Sequence, residues 1–198
     1  MTMPKTLLEM AGAPKLPLTW AASTLVLIDH QQEYTIGKLP LVGIDAAVAE
    51  LKVLIAAARK AGAPVVHVRH QGKPGGAFDL DGVGGQFIPG LEPVAGETAI
   101  TKGLPNGFAN TNLKDVLAGL GRKEIIVGGF ATHMCISATV RSAVDNGFRV
   151  GVVANACATR DLPDPLGGVQ TADMVHRATM AALNDRFATV VAETSAVV

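Results

Sequence analysis

The chain has 198 residues, and its 17 Lys and Arg balance 17 Asp and Glu, so the formal net charge is zero. Charged residues reach only 17%, which leaves no basic arm or acidic tail to attract nucleic acid or a membrane surface. Hydrophobic residues at 48% and 22 glycines exclude a disordered chain and fit one compact domain with many tight turns.

Residues 1–20 carry prolines and little periodicity, and read as an arm lying on the surface or on a neighbouring subunit. No secretory signal is expected in them, because Glu9, Pro14, Lys15 and Pro17 interrupt any apolar core. Residues 21–198 read as a single domain in which strands and helices alternate. Leu25-Val26-Leu27-Ile28 is an unbroken apolar run, as for a parallel strand covered on both faces. Ile44, Val48, Leu51, Ile55 and Ala58 recur at helical spacing after Asp45, and Gly62 stands where the helix should stop. Val65–Val68 predicts strand two, followed by a Gly- and Pro-rich segment from His70 to Gly96. A structural connection rarely needs that length, so the segment is expected to wall a pocket, form a lid or touch another subunit. Ala99–Thr101 predicts strand three, Asn112–Leu120 a helix, and Glu124–Gly128 strand four. Thr132–Asn146 predicts a helix closed by Gly147, Arg149–Ala154 strand five, Thr171–Arg186 the last helix, and Ala188–Ala192 strand six. The alternation implies a three-layer α/β/α fold with a six-stranded, mostly parallel sheet.

Ligands of such sheets bind beyond the carboxyl ends of the strands. Three reactive side chains stand there: Asp29 after strand one, Lys102 after strand three, and Cys135 in the first turn after strand four. A thiol at a helix start feels the positive end of the helix dipole, and a nearby ammonium favours the thiolate. A carboxylate can take the thiol proton, and N–H groups of the first turn can hold an oxyanion. The alternatives are an ordinary strand-end aspartate, a solvated lysine and a small apolar cysteine. Gly128-Gly129 allows a sharp turn and Thr132 can cap the helix, which favours chemistry at Cys135. Cys157 reads as structural, and His176 as a packing or surface residue. Gly82-Val83-Gly84-Gly85 is no dinucleotide fingerprint, because no strand precedes it and no helix follows. His67 and His70 lack the spacing of a metal motif, so neither metal nor cofactor is expected. Two cysteines make no disulfide framework, which points to the cytoplasm.

Three stretches carry a resemblance. Leu25 to Tyr34, Lys102-Gly103-Leu104-Pro105-Asn106-Gly107-Phe108, and Gly129 to Ile136 resemble the strand-one, lysine and nucleophile motifs of the isochorismatase-like cysteine hydrolases. The likeness runs from about Thr24 to Ala192. It implies a catalytic triad of Asp29, Lys102 and Cys135, a cis peptide between Phe130 and Ala131, and an oxyanion hole from the Ala131 and Cys135 N–H groups. Around them Gln31, Tyr34, His70, Phe108, Phe130 and His133 are expected to line a substrate pocket. Family members with the cysteine usually hydrolyse a C–N bond of a small amide, through a thioester. The expectation is therefore a cytoplasmic amidohydrolase acting on a small molecule, and a homo-oligomer. A vinyl-ether hydrolase of isochorismatase type and a non-catalytic thiol sensor on the same fold are the alternatives. The nicotinamidase branch carries a metal loop after strand two that Arg69-His70-Gln71-Gly72-Lys73-Pro74 does not reproduce.

Overall fold

The computed structural model describes residues 3–14 and 17–198; the predicted arm therefore lies partly outside the described residues. Within it a single short helix, α1 (Leu7–Met10), is closed by a Thr6–Glu9 capping box. The Leu7 N–H donates to Asp185, which ties this turn to the last helix.

Six parallel strands form the sheet: β1 (Ser23–Ile28), β2 (Val65–His70), β3 (Thr98–Lys102), β4 (Glu124–Phe130), β5 (Arg149–Ala158) and a final strand, Thr189–Val191. Their spatial order is β3-β2-β1-β4-β5 and then the final strand, so the direction of winding reverses between β1 and β4. Every residue of β1 is buried, because it sits at mid-sheet with helices on both sides. Alternation divides its side chains between two cores. Leu25 and Leu27 pack under α2 (Ile44–Lys60) with Leu51, Leu54 and Ile55. Val26 and Ile28 face the other layer, built from α3 (Leu113–Gly119), α4 (Ser137–Asp145) and α5 (Ala172–Arg186). That layer supplies Leu113, Leu117, Val140 and Leu183.

Two local differences from the sequence pattern bear on the site. β5 runs to Ala158 rather than stopping near Ala154, because an irregularity between Val127 and Gly129 brings Gly129 and Phe130 beside Cys157 and Ala158. A small hairpin then joins Leu162–Pro163 to Val169–Gln170 before α5, a pair too short to leave a periodic pattern. The segment between β2 and β3 folds back on the end of β1. Gln31 bridges Phe87, the Ile88 N–H donates to the His30 carbonyl, and Phe87 stacks on His30.

Candidate active site

The site lies at the reversal of strand order, where loops from β1 and β4 part and leave a crevice. Asp29 follows β1 directly and holds a left-handed backbone (φ 49°), uncommon for a residue with a side chain. Lys102 is the last residue of β3, and its long side chain is buried to the tip. The Lys102 Nζ donates to Asp29 Oδ2 at 2.7 Å and reaches Cys135 Sγ at 3.4 Å. A third contact, also at 3.4 Å, is to His70 Nδ1.

Electrostatics couple these groups. Burial raises the Asp29 carboxyl above its usual range, opposed by the Lys102 charge and by the Cys135 thiol. Burial also pushes the Cys135 thiol up, and the Asp29 charge adds to the rise against the opposing pull of Lys102. Against the thiolate that a helix start and a nearby ammonium favour, these influences hold Cys135 towards the thiol, beside an aspartate–lysine pair. Burial, then the Lys102 charge, lowers the His70 imidazole to about 4, so it is neutral at physiological pH.

The turn carrying Cys135 also differs from the expected α-helix start. Thr132–Ile136 is one turn of π-helix, in which the Ile136 N–H reaches back to the Ala131 carbonyl, and α4 begins only at Ser137. Thr132 does not cap it. Its hydroxyl donates to the Ala158 carbonyl and accepts from His176 Nδ1, so His176 braces this turn rather than merely packing α5. The peptide between Phe130 and Ala131 is cis.

A cleft of about 120 Å³ opens over Cys135. Tyr34, His70 and His133 line it, together with Leu39, Leu41, Phe78, Pro105, Met134 and Arg160. Three residues expected in the pocket stand elsewhere. Gln31 is buried behind it, holding the backbone of His70 through both amide atoms. Phe130 is wholly buried beneath Tyr34, with rings 5.7 Å apart. Phe108 packs near Phe148 in the helix layer. Arg160 belongs to the 159–170 loop, which overhangs the strand ends and is expected to carry substrate determinants, but no local signal singles it out from its neighbours. Its charge bears on both Tyr34 and His133 within the cleft. Cys157 is a buried thiol pushed up to about 12 by burial, in keeping with a structural role.

Beneath the cleft His67 turns away from His70 and bonds His30 at 2.9 Å and Glu97 at 2.8 Å. Glu97 also accepts two hydrogen bonds from Arg59, each 2.8 Å. Among the described residues no group of three or more His, Cys, Asp or Glu is arranged to hold a metal ion.

Comparison with known proteins agrees with this architecture. The family profile described as Isochorismatase domain matches residues 23–195. The chain belongs to the isochorismatase family. A crystal structure of an isochorismatase from Pseudomonas putida KT2440 superimposes with a TM-score of 0.94 at 45% identity, covering 99% of this chain and 100% of that one. The secreted isochorismatase effector Isc1 of Verticillium dahliae is 35% identical over 92% of this chain and 94% of its own length. The maleamate amidohydrolase of Pseudomonas putida KT2440 is 32% identical over 69% of this chain and 72% of its own. This isochorismatase-family protein is accordingly a hydrolase, in a superfamily whose members include amidohydrolases. No helix among its described residues is long and apolar enough to cross a membrane.

Proposed function

We propose that the protein hydrolyses a C–N bond of a small amide through a thioester on Cys135, with Asp29 and Lys102 as its catalytic partners. The observation that carries this reading is the Lys102 ammonium held 2.7 Å from Asp29 and 3.4 Å from Cys135 at the floor of a cleft. As substrate binds, Asp29 takes the thiol proton. This transfer leaves the total charge of the buried site unchanged, and burial has already made Asp29 a stronger base. Lys102 balances the charge that moves onto sulfur. The thiolate adds to the carbonyl carbon, and the N–H groups of Ala131 and Cys135 receive the oxyanion; one such donor is worth about 3 kcal/mol. Collapse breaks the C–N bond, and the amine leaves with the proton from Asp29. Water, deprotonated by Asp29, then attacks the thioester, and the acid departs as the thiol is restored.

The cleft also indicates what kind of amide. Its walls are largely apolar, yet Arg160 places a guanidinium at them that forms no ion pair with a carboxylate among the described residues. A substrate with an acidic group at one end and an amide at the other would satisfy both, and maleamate has that form. The two free, buried thiols support a reducing compartment such as the cytoplasm. The exposed Leu166, Val169 and Met174 near the hairpin support assembly with further copies.

The test is a panel of small amides, with and without a carboxylate, assayed for ammonia release and by intact mass. Turnover with an acyl adduct that Cys135→Ala abolishes is expected. Turnover undiminished in Cys135→Ala would sink the covalent mechanism.

A further inference from the structure

His70 is the one cleft residue in contact with Lys102 that the mechanism above leaves without a task. Its main chain is unusually well fixed. The buried Gln31 side chain accepts from the His70 N–H at 2.8 Å and donates to the His70 carbonyl at 2.9 Å. The same Gln31 nitrogen donates to the Gly85 carbonyl, which ties the clamp to the loop behind the cleft. The imidazole meets Phe78 edge-on, with ring centres 5.2 Å apart.

A lysine ammonium has three donors and no acceptor. Those of Lys102 face Asp29 Oδ2, Cys135 Sγ and His70 Nδ1. An N–H at Nδ1 would point a donor at a donor, so Nδ1 must carry the lone pair. The proton of the neutral ring then sits on Nε2, which has no hydrogen-bond partner among the described residues, on a ring that lines the cleft. We propose that His70 is a tautomer-fixed hydrogen-bond donor for the substrate, with Lys102 orienting its Nδ1 and its Nε2–H presented to an acceptor atom of the bound amide.

This assignment rests on the cleft being the active site. It makes Lys102 serve two purposes: balancing charge at Cys135 and setting the polarity of the opposite wall. Burial together with Lys102 keeps the ring neutral, so it polarises an acceptor without giving up its proton. A substrate presenting only donors to this wall would meet an unpaired N–H and bind poorly.

The test separates the tautomer from the reaction. In the full-length protein with 15N-labelled histidine at pH 7, the His70 resonances are identified by their loss in His70→Gln. An unprotonated Nδ1 and a protonated Nε2 are expected, with the Nε2–H resonance moving downfield as acetamide, a carbonyl-bearing probe, is added. A proton on Nδ1, or an Nε2–H that acetamide leaves unmoved, overturns the proposal. With any amide that is turned over, His70→Asn keeps an acceptor for Lys102 but lacks the donor into the cleft. Its kcat/KM should fall about 10- to 100-fold, whereas His70→Gln, whose longer amide can reach the Nε2 position, should recover most of the loss. Equal activity of wild type and His70→Asn also overturns it. Failure of every amide in the panel counts against the proposed function alone, and the nuclear magnetic resonance result still decides the tautomer and its donor.

Discussion

Gly129 of β4 pairs with Ile28 of β1, and a Cβ placed on Gly129 would lie 1.9 Å from the Ile28 carbonyl oxygen. Its φ of 123° is also one that side-chain-bearing residues avoid. This contact sets the spacing of the strands that deliver Asp29 and Cys135, so relief must come from moving backbone. Gly129→Ala should cost more than about 3 kcal/mol, or prevent folding. Gly121→Ala is the control: its φ is also positive at 71°, but the added carbon meets nothing within 4 Å, and the cost should be about 1 kcal/mol. Urea unfolding of the two variants compares them. Similar losses in both would show that strand contact does not matter.

Much of this architecture is legible in the sequence because a buried parallel strand must be apolar on both faces. Leu25–Ile28 and Ile125–Val127 announce themselves in that way, and the residues just beyond them mark the edge where ligands bind. Asp29 stands immediately after its strand, Lys102 is the last residue of its own, and Cys135 lies in the turn that follows β4, so their meeting can be anticipated without coordinates. The pocket walls cannot. Gln31 next to a pocket looks like a ligand contact, and only the fold of the following loop reveals that its amide is consumed by His70 and Gly85. Arg160 depends on four further residues of β5, whose small and polar side chains carry no strand pattern. The Thr132 hydroxyl chooses Ala158 and His176 over the helix, a long-range competition that a local capping rule does not register.

The protonation state of Cys135 gives a prediction that runs against the usual picture of a reactive cysteine. Burial and the Asp29 charge hold the thiol above its ordinary value, so iodoacetamide should alkylate Cys135 with a midpoint above the ~8.5 of a free thiol. Turnover should already be at its plateau near neutrality, since the proton passes within the site to Asp29. Parallel pH profiles of alkylation and of kcat/KM settle it. Coincident midpoints below ~8.5 would establish a preformed thiolate instead.

Arg160 should govern the choice among amides. In Arg160→Met the apolar stem is retained and the charge is lost, so kcat/KM for a carboxylate-bearing amide such as maleamate should drop by about 10- to 100-fold, the range for a lost charge-assisted hydrogen bond. An uncharged amide of similar size should lose little. Steady-state kinetics on the matched pair reads the ratio, and an equal loss for both would remove the guanidinium from substrate recognition.

Acid stability should be limited by the histidines, all five of which burial lowers, with the pair beneath the cleft the most deeply buried. His30 and His67 are both fully buried and bond each other at 2.9 Å. Burial lowers both from the 6.5 of an unfolded chain; the neighbouring His67 lowers His30 further, while Glu97 opposes the shift at each and Arg59 reinforces it at His67. A base whose folded value is depressed stays neutral in the native state while its unfolded counterpart takes up a proton. Its contribution is therefore complete above about pH 6.5 and is lost as pH falls from there, by at most about 1.4 kcal/mol per pH unit for each histidine. Asp29 acts in the opposite sense: its raised value adds stability on the acid side, which disappears as pH rises through it, so it offsets part of the loss. Glu97, where burial is outweighed by bonds from Arg59, Val94 and His67, is held to about 2 and adds its own loss only below its unfolded 4.5. Between pH 6.5 and 5 the histidines should dominate, and Tm should decline steadily across that interval. His67→Gln removes one titrating ring while keeping hydrogen-bonding groups between His30 and Glu97, and it should flatten the decline even if the variant begins from a lower Tm. Thermal scans at closely spaced pH values test this; an identical slope in the variant would assign the acid sensitivity to other groups.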